Sequence, residues 1–130
     1  MDPFKTVGAV SWTELTTPDP AAAQAFYGAL FGWQFDAMPM AEGTYHVIKL
    51  GAADAIGGIM ATPPQAQGMP PVWGSYITVA DCDATAARCK ALGGKVCLEP
   101  TDIPNVGRFA MLQDPQGATL FVIAYSPDLR

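Results

Sequence analysis

The sequence predicts an α+β fold built from two consecutive βαβββ modules. The first observation is an internal repeat, in which residues 29–35 align with residues 91–97 at an offset of 62 residues. The same offset pairs Asp19 with Asp81, at the expected start of a helix in each copy. The second observation is the order of hydrophobic patterns, because each copy contains one strand pattern, one helical pattern and three further strand patterns.

The length of 130 residues fits a single compact domain, and half of the residues are apolar, which is enough to form a hydrophobic core. We therefore expect one domain over residues 1–130. The first module spans residues 8–60, and the second spans residues 72–125. A connector with four prolines, residues 61–71, joins them.

The first module opens with a strand pattern over residues 10–16, which are rich in β-forming side chains. A helix follows, with Asp19 as N-cap and Pro20 at its first position, and Gly32 ends it in a left-handed conformation. Apolar residues recur along this helix at helical spacing, which predicts a stripe that packs in the core. The stripe consists of Ala23, Phe26, Tyr27, Leu30 and Phe31.

Three strand patterns complete the first module, over residues 33–38, 45–50 and 55–60. Two stretches rich in turn-forming residues, 39–44 and 51–54, separate them.

The second module repeats this order. A strand over residues 72–79 leads to a helix that is capped by Asp81 or Asp83 and ends at the glycine pair after Leu92. The remaining strands are expected over residues 96–101, 108–112 and 118–125, with a tight turn over residues 114–117 before the last one.

The composition excludes several classes of protein. Seven basic residues against 12 acidic ones give a net charge of −5, and the basic residues are scattered, which argues against a nucleic-acid partner. The N-terminus lacks the apolar segment of a signal peptide, and no apolar stretch is long enough to span a bilayer, so we expect a cytoplasmic protein without a membrane partner. We expect the three cysteines to be reduced and to act as small hydrophobic residues: Cys82, Cys89 and Cys97.

These motifs, taken in their order and spacing, resemble the vicinal oxygen chelate superfamily, which contains glyoxalases, bleomycin-resistance proteins and extradiol dioxygenases. The resemblance covers about residues 8–125. It implies that the two modules form a curved mixed sheet around a cavity, with the helices packed outside. The most specific pieces are Pro18-Asp19-Pro20, Phe26-Tyr27, Leu30-Phe31-Gly32-Trp33, Asp81-Cys82-Asp83, Ala91-Leu92-Gly93-Gly94, Gly107-Arg108-Phe109 and Asp114-Pro115-Gln116-Gly117.

A glyoxalase-like subgroup is the nearest resemblance, because Trp12 and Glu14 in the first strand are combined with Trp73 and Tyr76 in the second module. Members of that subgroup commonly carry two such pairs of modules in one chain. This sequence has one pair, so the analogy favours a homodimer.

The resemblance also implies where a metal ion would be held in metal-using members. The expected ligand positions fall on Trp12, Gly74, Phe121 and one of residues 57–59, and none of these side chains can bind a metal. The only histidine is His46, so neither an iron site with two histidines nor a histidine-rich zinc site can form within one chain. We therefore predict no metal and no other cofactor. An unusual set of oxygen ligands that includes Glu14, or a site completed across a dimer interface, is the alternative.

Glu14 is the first candidate for chemistry, because in a strand it shares a face with Trp12. It could move a proton or anchor a ligand, or it could be a structural carboxylate bonded to the backbone or to Arg108. His46 is the second catalytic candidate, as a general base, although a lone histidine in a strand is more often structural. The predicted ligand-binding residues are Trp12, Trp73, Tyr76, Arg108 and Phe121.

The sequence therefore favours a metal-independent protein that binds a small, partly aromatic molecule in a central cavity. The alternative is an acid–base enzyme of the same fold, an isomerase, lyase or hydroxylase-like protein, in which Glu14 carries the proton and His46 or Tyr76 assists. A metal-dependent lyase or dioxygenase is the third hypothesis.

Overall fold

A computed structural model describes residues 1–40, 43–51 and 54–127, and within these the chain contains two α-helices and eight β-strands. The predicted α+β class is confirmed. The chain divides into two compact units. The first unit is Trp12–Trp73, and the second combines Met1–Ser11 with the residues from Gly74 onward. Each unit carries one helix and one set of four neighbouring strands.

The first unit follows the predicted βαβββ order. Its elements are β1 (Val10–Thr17), α1 (Pro20–Phe31), β2 (Gln34–Met40), β3 (Gly43–Leu50) and β4 (Asp54–Ala61). The strands are arranged in the order β2-β3-β4-β1, where β1 and β4 are parallel and the other neighbours are antiparallel. Parts of the two predicted turns, residues 41–42 and 52–53, lie outside the described residues.

Helix α1 begins and ends as predicted. The side chain of Asp19 accepts a hydrogen bond from the backbone N–H of Ala22, and Pro20 occupies the first helical turn. At the other end Gly32 has a φ of 74°, the left-handed conformation that glycine adopts without a steric penalty.

Only part of the predicted apolar stripe of α1 packs in the core. Tyr27 packs against the buried core of this unit, whereas Phe26, Leu30 and Phe31 are 60%, 55% and 57% exposed. The reason is the rotation of the helix about its axis. A Cβ atom on Gly28 would lie at 3.5 Å from the Phe35 ring, so the Gly28 side of α1 faces the sheet.

The core of the first unit lies between α1 and one face of its sheet. Leu15, Ile48 and Ile59 are its buried centre, with exposed fractions of 5% or less. Partly buried side chains surround them: Ala23, Tyr27, Trp33, Phe35, Ile56 and Trp73.

The second unit repeats the pattern. Its elements are β5 (Val72–Thr78), α2 (Cys82–Ala91), β6 (Lys95–Ile103), β7 (Gly107–Gln113) and β8 (Thr119–Tyr125), in the strand order β5-β8-β7-β6. The first two residues of β5 belong to the first unit. Of the two predicted caps of α2, Asp81 is the N-cap, and its side chain accepts from the N–H of Ala84.

Of two further predictions for this unit, the tight turn is confirmed and the burial of the cysteines is confirmed in part. The side chain of Asp114 accepts from the N–H groups of Gln116 and Ala118, which fixes the predicted tight turn. Cys82 is a buried free thiol in the core of the unit, and burial raises its pKa, so it stays protonated at neutral pH. Cys89 is a half-buried free thiol that packs against this core, whereas Cys97 is exposed and does not act as a core residue. Among the residues that the structure describes, no helix is long and apolar enough to span a bilayer.

Arg108 ties helix α2 to the edge of its sheet. Its guanidinium donates hydrogen bonds to both carboxylate oxygens of Asp83, at 2.9 and 3.1 Å, and to Asp102 in β6 at 3.0 Å. The hydrogen bonds from Arg108 lower the pKa of the Asp83 carboxyl group. Asp83 and Asp102 in turn raise the pKa of Arg108, which remains charged at every accessible pH.

We predict that Arg108→Met raises the pKa of Asp83 towards its ordinary value. A carboxyl group with a lowered folded-state pKa stabilises the fold above its unfolded-state pKa and loses this contribution as the pH falls through the folded-state pKa. The stability difference between the wild-type protein and the variant therefore shrinks below about pH 4. Carboxyl ¹³C NMR of Asp83 and urea unfolding at several pH values measure both effects. Arg88→Met is the control, because Arg88 lies on α2 together with Asp83 but is not bonded to it. This variant should leave the titration of Asp83 unchanged.

Candidate functional site

The face of the first unit that points away from α1 carries the candidate site. Strand pairing aligns Glu14 with Gly58 and Gly58 with Val47 across β1, β4 and β3. Because side chains alternate along a strand, Trp12 lies on the same face as Glu14, and Tyr45 lies on the same face as Val47. Three strands thus bring Trp12, Glu14 and Tyr45 together on one side of the sheet.

These three side chains form a chain of hydrogen bonds. The indole Nε1–H of Trp12 donates to the phenol oxygen of Tyr45 at 2.9 Å. The phenol O–H of Tyr45 then donates to Oε1 of Glu14, also at 2.9 Å. Glu14 is only 8% exposed, and a carboxylate at that depth is stable only with hydrogen-bond donors around it. The network therefore holds an acidic group in a defined orientation beside two aromatic rings.

Gly58 makes room for this arrangement. A Cβ atom at position 58 would overlap the Cζ, Oη and Cε2 atoms of Tyr45, so the phenol ring lies where any larger residue would place its side chain. Gly58 is itself buried. The position of Tyr45, and with it the orientation of Glu14, depends on a glycine at this point in β4.

His46 lies on the opposite face of the same sheet. It pairs with Ile59, which belongs to the buried core beneath α1, whereas its neighbour Tyr45 points to the Glu14 side. The structure does not bring His46 together with Glu14. Its predicted role as a general base remains a hypothesis, on the face of the sheet away from Glu14.

Trp73 also lies on the helix side. Its indole Nε1–H donates to the phenol oxygen of Tyr27 in α1 at 3.1 Å, and its ring packs edge-on against Tyr27 and Trp33. Trp73 is therefore part of the core around α1. Its predicted role in ligand binding remains a hypothesis, and its ring is on the other side of the sheet from Trp12.

The second unit has an aromatic cluster on the face that points away from α2. Tyr76 in β5 stacks on Phe121 in β8, with ring centroids 4.5 Å apart and planes tilted by 8°. Phe109 in β7 completes the cluster, at 6.3 Å from each of the two rings. A Cβ atom on Gly74 would be 2.6 Å from the Phe121 ring, so a glycine again makes room for an aromatic side chain.

The two units place different chemistry at equivalent positions. The strand registers of the two units equate Glu14, Gly58 and Tyr45 with Tyr76, Phe121 and Phe109. The first unit therefore carries a carboxylate, a phenol and an indole N–H on this face. The second carries three neighbouring aromatic rings, of which only Tyr76 has a polar atom.

Arg108 forms ion pairs with two carboxylates of its own unit. The sequence left open a pair with Glu14 and a ligand-binding role, and the structure assigns the hydrogen bonds of Arg108 to Asp83 and Asp102. A ligand anion at Arg108 would have to compete with these two carboxylates. Its role as a ligand-binding residue remains a hypothesis.

Sequence reasoning missed two residues of these faces, Tyr45 and Phe109. Each lies in the third strand of its module, but the offset of 62 residues places Tyr45 opposite Gly107, so the repeat does not pair the two aromatic residues. What was lacking was the cross-strand register, which decides that Tyr45, and not His46, shares the face of Glu14. Strand alternation alone leaves that choice open.

The residues present do not fit a divalent metal ion of the kind that the resemblance implies. In the first unit the expected ligand positions are Trp12 and Gly58, and in the second they are Gly74 and Phe121, so none offers a donor atom. Across the described ranges no group of three or more His, Cys, Asp or Glu side chains is arranged to hold a metal.

Comparison with known proteins identifies relatives over most of the chain. The family model of the Glyoxalase/Bleomycin resistance protein/Dioxygenase superfamily matches residues 9–122. A protein of Mycobacterium tuberculosis (strain CDC 1551 / Oshkosh) named "Putative glyoxylase CFP32" is 47% identical over 121 residues, which cover 92% of this chain and 45% of that protein. The anthracycline biosynthesis protein DnrV of Streptomyces peucetius is 36% identical over 128 residues, covering 88% of this chain and 46% of that protein. The chain thus spans about half the length of these relatives.

Among solved structures, methylmalonyl-CoA epimerase from Mycobacterium tuberculosis matches with a TM-score of 0.69 and 15% identity, covering 96% of this chain and 93% of that one. A methylmalonyl-CoA epimerase complex from Streptomyces coelicolor matches with a TM-score of 0.66 and 16% identity, covering 94% and 97%. At these identities the likeness shows the fold alone, and it confirms the predicted fold.

We predict that Gly58→Ala disrupts the hydrogen-bond chain. The added methyl group must displace the Tyr45 ring, which separates the phenol from Trp12 and Glu14 and lowers the free energy of unfolding by about 1–3 kcal/mol. Urea unfolding measures the loss, and the Trp12 indole ¹H–¹⁵N NMR signal reports the broken bond. Gly28→Ala is the matched control, because its Cβ meets neighbours at an ordinary 3.5 Å. An unshifted Trp12 signal in Gly58→Ala would contradict the prediction.

Proposed function

Because this chain belongs to the Glyoxalase/Bleomycin resistance protein/Dioxygenase superfamily, matched over residues 9–122, we propose that it binds a small, partly aromatic molecule without a metal ion. The observation that carries the proposal is the hydrogen-bond chain from Trp12 through Tyr45 to Glu14 on the face away from α1. Proteins of this fold family typically bind small-molecule ligands and form dimers.

The chemistry of this face favours a particular class of ligand. Indole and phenol rings offer flat apolar surface for stacking an aromatic group. A carboxylate accepts hydrogen bonds most strongly from hydroxyl and ammonium groups, and the low exposure of Glu14 strengthens such a bond. The proposed ligand is therefore an aromatic molecule with a hydroxyl or amino group. The name of the Streptomyces peucetius relative, an anthracycline biosynthesis protein, is consistent with an aromatic small molecule.

Metal independence is supported by the identity of the residues at the expected ligand positions. Tryptophan, glycine and phenylalanine side chains cannot coordinate a divalent ion, whatever the conformation of the strands. Glu14 is one carboxylate, and its Oε1 atom accepts a hydrogen bond from the phenol of Tyr45. Within the part of the chain that the structure describes, it belongs to no group of three or more His, Cys, Asp or Glu side chains that could hold a metal.

An acid–base enzyme is the second candidate, and one observation favours it. Glu14 is a buried carboxylate next to a phenol that donates to it, and such a pair can accept a proton from a substrate and return it. In this scheme Glu14 is the proton carrier and Tyr45 keeps its carboxylate oriented. An isomerase, lyase or hydroxylase-like reaction would use these groups without a metal ion.

We predict that 1-naphthol binds at least about tenfold more tightly than its methyl ether, 1-methoxynaphthalene, because only the naphthol can donate a hydrogen bond to Glu14. Saturation-transfer NMR with each compound measures the two affinities. Glu14→Gln should remove most of the difference, and Trp12→Ala should weaken both compounds by loss of stacking surface. His46→Gln, on the opposite face, should change neither affinity.

Equal preference for the naphthol in the wild-type protein and in Glu14→Gln would overturn the assignment of this face as the binding site.

Once a substrate is known, the same Glu14→Gln variant distinguishes the enzyme hypothesis from simple ligand binding. Glu14→Gln then abolishes turnover while retaining affinity if Glu14 carries the proton.

We further predict that the purified protein is free of a stoichiometric divalent ion. Native mass spectrometry of the protein as isolated measures bound metal and any co-purified organic molecule in one experiment. Thermal unfolding with added Ni²⁺, Zn²⁺, Mn²⁺ or Fe²⁺ should give the melting temperature of the metal-free protein, since a ligand that binds only the folded state would raise it. One bound ion per chain would restore the metal-dependent hypothesis.

A further inference from the structure

The first unit places its one Lys or Arg residue on the face that carries the candidate site. The sequence from Trp12 to Trp73 contains Lys49 and five acidic residues. Lys49 shares the face of Tyr45, because it follows Tyr45 by four residues in β3 and the pairing of β3 with β2 has no register shift. Only 27% of its side chain is exposed, although lysine normally keeps its charged end in water.

An ion pair with the neighbouring strand β2 holds the ammonium group of Lys49. Its Nζ atom lies 3.0 Å from Oδ2 of Asp36, a carboxylate that is 62% exposed. An ion pair with so exposed a partner contributes little to stability. An ammonium group has three N–H donors, so a pair with one carboxylate leaves Lys49 able to donate to a second acceptor. Asp36 therefore orients the cation without saturating it.

The second unit shows that the fold does not require this ion pair. The strand registers of the two units equate Lys49 with Gln113 and Asp36 with Leu98. Both side chains of the second unit are uncharged. Because the same backbone arrangement forms without charges at these positions, the ion pair belongs to the chemistry of the first unit's face.

An apolar strip separates Lys49 from Glu14 on this face. Gly58 and Val47 lie between them in the paired strands, and the ring of Tyr45 occupies the space above Gly58. Glu14 and Lys49 are two strands and two residues apart, which places their Cα atoms about 12 Å from each other at the usual strand spacing and rise. The strip thus has a carboxylate at one end and a cation at the other.

Charge selects the group that a ligand would present to Lys49. The acidic residues of the first unit repel an anion, and Glu14 does so at its own end of the strip. An anionic group is therefore favoured only at Lys49. A single ammonium group neutralises one carboxylate, whereas a phosphate monoester, with a charge near −2, would keep about one uncompensated charge. The face thus favours a carboxylate at Lys49.

We propose that Lys49 binds a carboxylate of the ligand, so that the first unit takes an aromatic hydroxy acid with its hydroxyl group at Glu14 and its carboxylate at Lys49. The inference rests on the proposed function, because it extends the same face. The two polar groups bind together only when they stand at opposite ends of the ring system. The polarity of the strip therefore fixes both the class of ligand and its orientation.

Titration of the protein with 6-hydroxy-2-naphthoate and with 2-naphthol at pH 7, followed by ¹H–¹⁵N NMR, tests the proposal. The acid is expected to bind at least about tenfold more tightly, because its carboxylate adds a charge-assisted hydrogen bond from Lys49. Lys49→Met should remove most of this ratio of affinities. Asp36→Asn should increase the ratio, because the ligand no longer competes with that carboxylate for the ammonium group.

The ion pair between Lys90 and Glu99 provides matched controls. Both of its side chains are more than half exposed, and it lies in the second unit. Lys90→Met and Glu99→Gln make the same changes of charge and should leave the ratio unchanged. Circular dichroism checks that the Lys49 and Asp36 variants are folded, which is expected because the second unit carries uncharged side chains at both positions.

The outcomes separate this inference from the proposed function. Equal affinity of the wild-type protein for the acid and for 2-naphthol would overturn the inference and leave the proposed function standing. A preference for the acid that survives Lys49→Met, or that Lys90→Met reduces as strongly, would also overturn the inference. Absence of binding by both compounds would overturn the proposed function and this inference with it.

Discussion

Each set of four neighbouring strands in this protein has one helix to cover it, and most of the structure depends on that constraint. The helix seals one face of the sheet, where Leu15, Ile48 and Ile59 lie in the first unit and have almost no contact with water. The other face cannot be sealed by the same helix. Residues placed there by strand alternation are available for other purposes, and the candidate site lies on such a face.

The two faces away from the helices are held in different ways. In the first unit a buried carboxylate requires donors, and the phenol of Tyr45 satisfies Glu14 while accepting from Trp12. In the second unit no carboxylate lies at the equivalent position, and the stacking of Tyr76 on Phe121 holds the side chains of this face together. Both solutions need a glycine under a ring, which shows that close packing, as well as polarity, shapes these faces. The two modules thus share one backbone arrangement, while the side chains on this face differ in their chemistry.

The same constraint explains the exposed side of α1. A helix on a sheet buries one strip of its surface, and here the strip centres on Tyr27 and Gly28. Phe26 and Leu30 fall on the flank, where α2 has a charged residue or ends. An apolar flank without a covering element in its own unit is a property of the tertiary structure, and it leaves large side chains of a helix that looks like a core helix exposed.

Sequence by itself determined the local structure of this protein. Asp19 and Asp81 cap the two helices, Gly32 ends α1, and Asp114 fixes the turn before β8. These features could be predicted because capping and turn chemistry act over a few residues. The repeated order βαβββ was also evident from the sequence. It also determined that Trp12 and Glu14 share a face, since the side-chain period of a strand is two.

Tertiary structure decided which residues meet. Tyr45 and His46 are neighbours in sequence, and only the pairing of β3 with β4 places Tyr45 beside Glu14 and His46 towards the core. Arg108 forms ion pairs with Asp83 and Asp102, because the packing of α2 on its sheet brings these three side chains together. The physical reason is that strand register and helix rotation are set by contacts between residues far apart in the chain, which a local pattern does not contain.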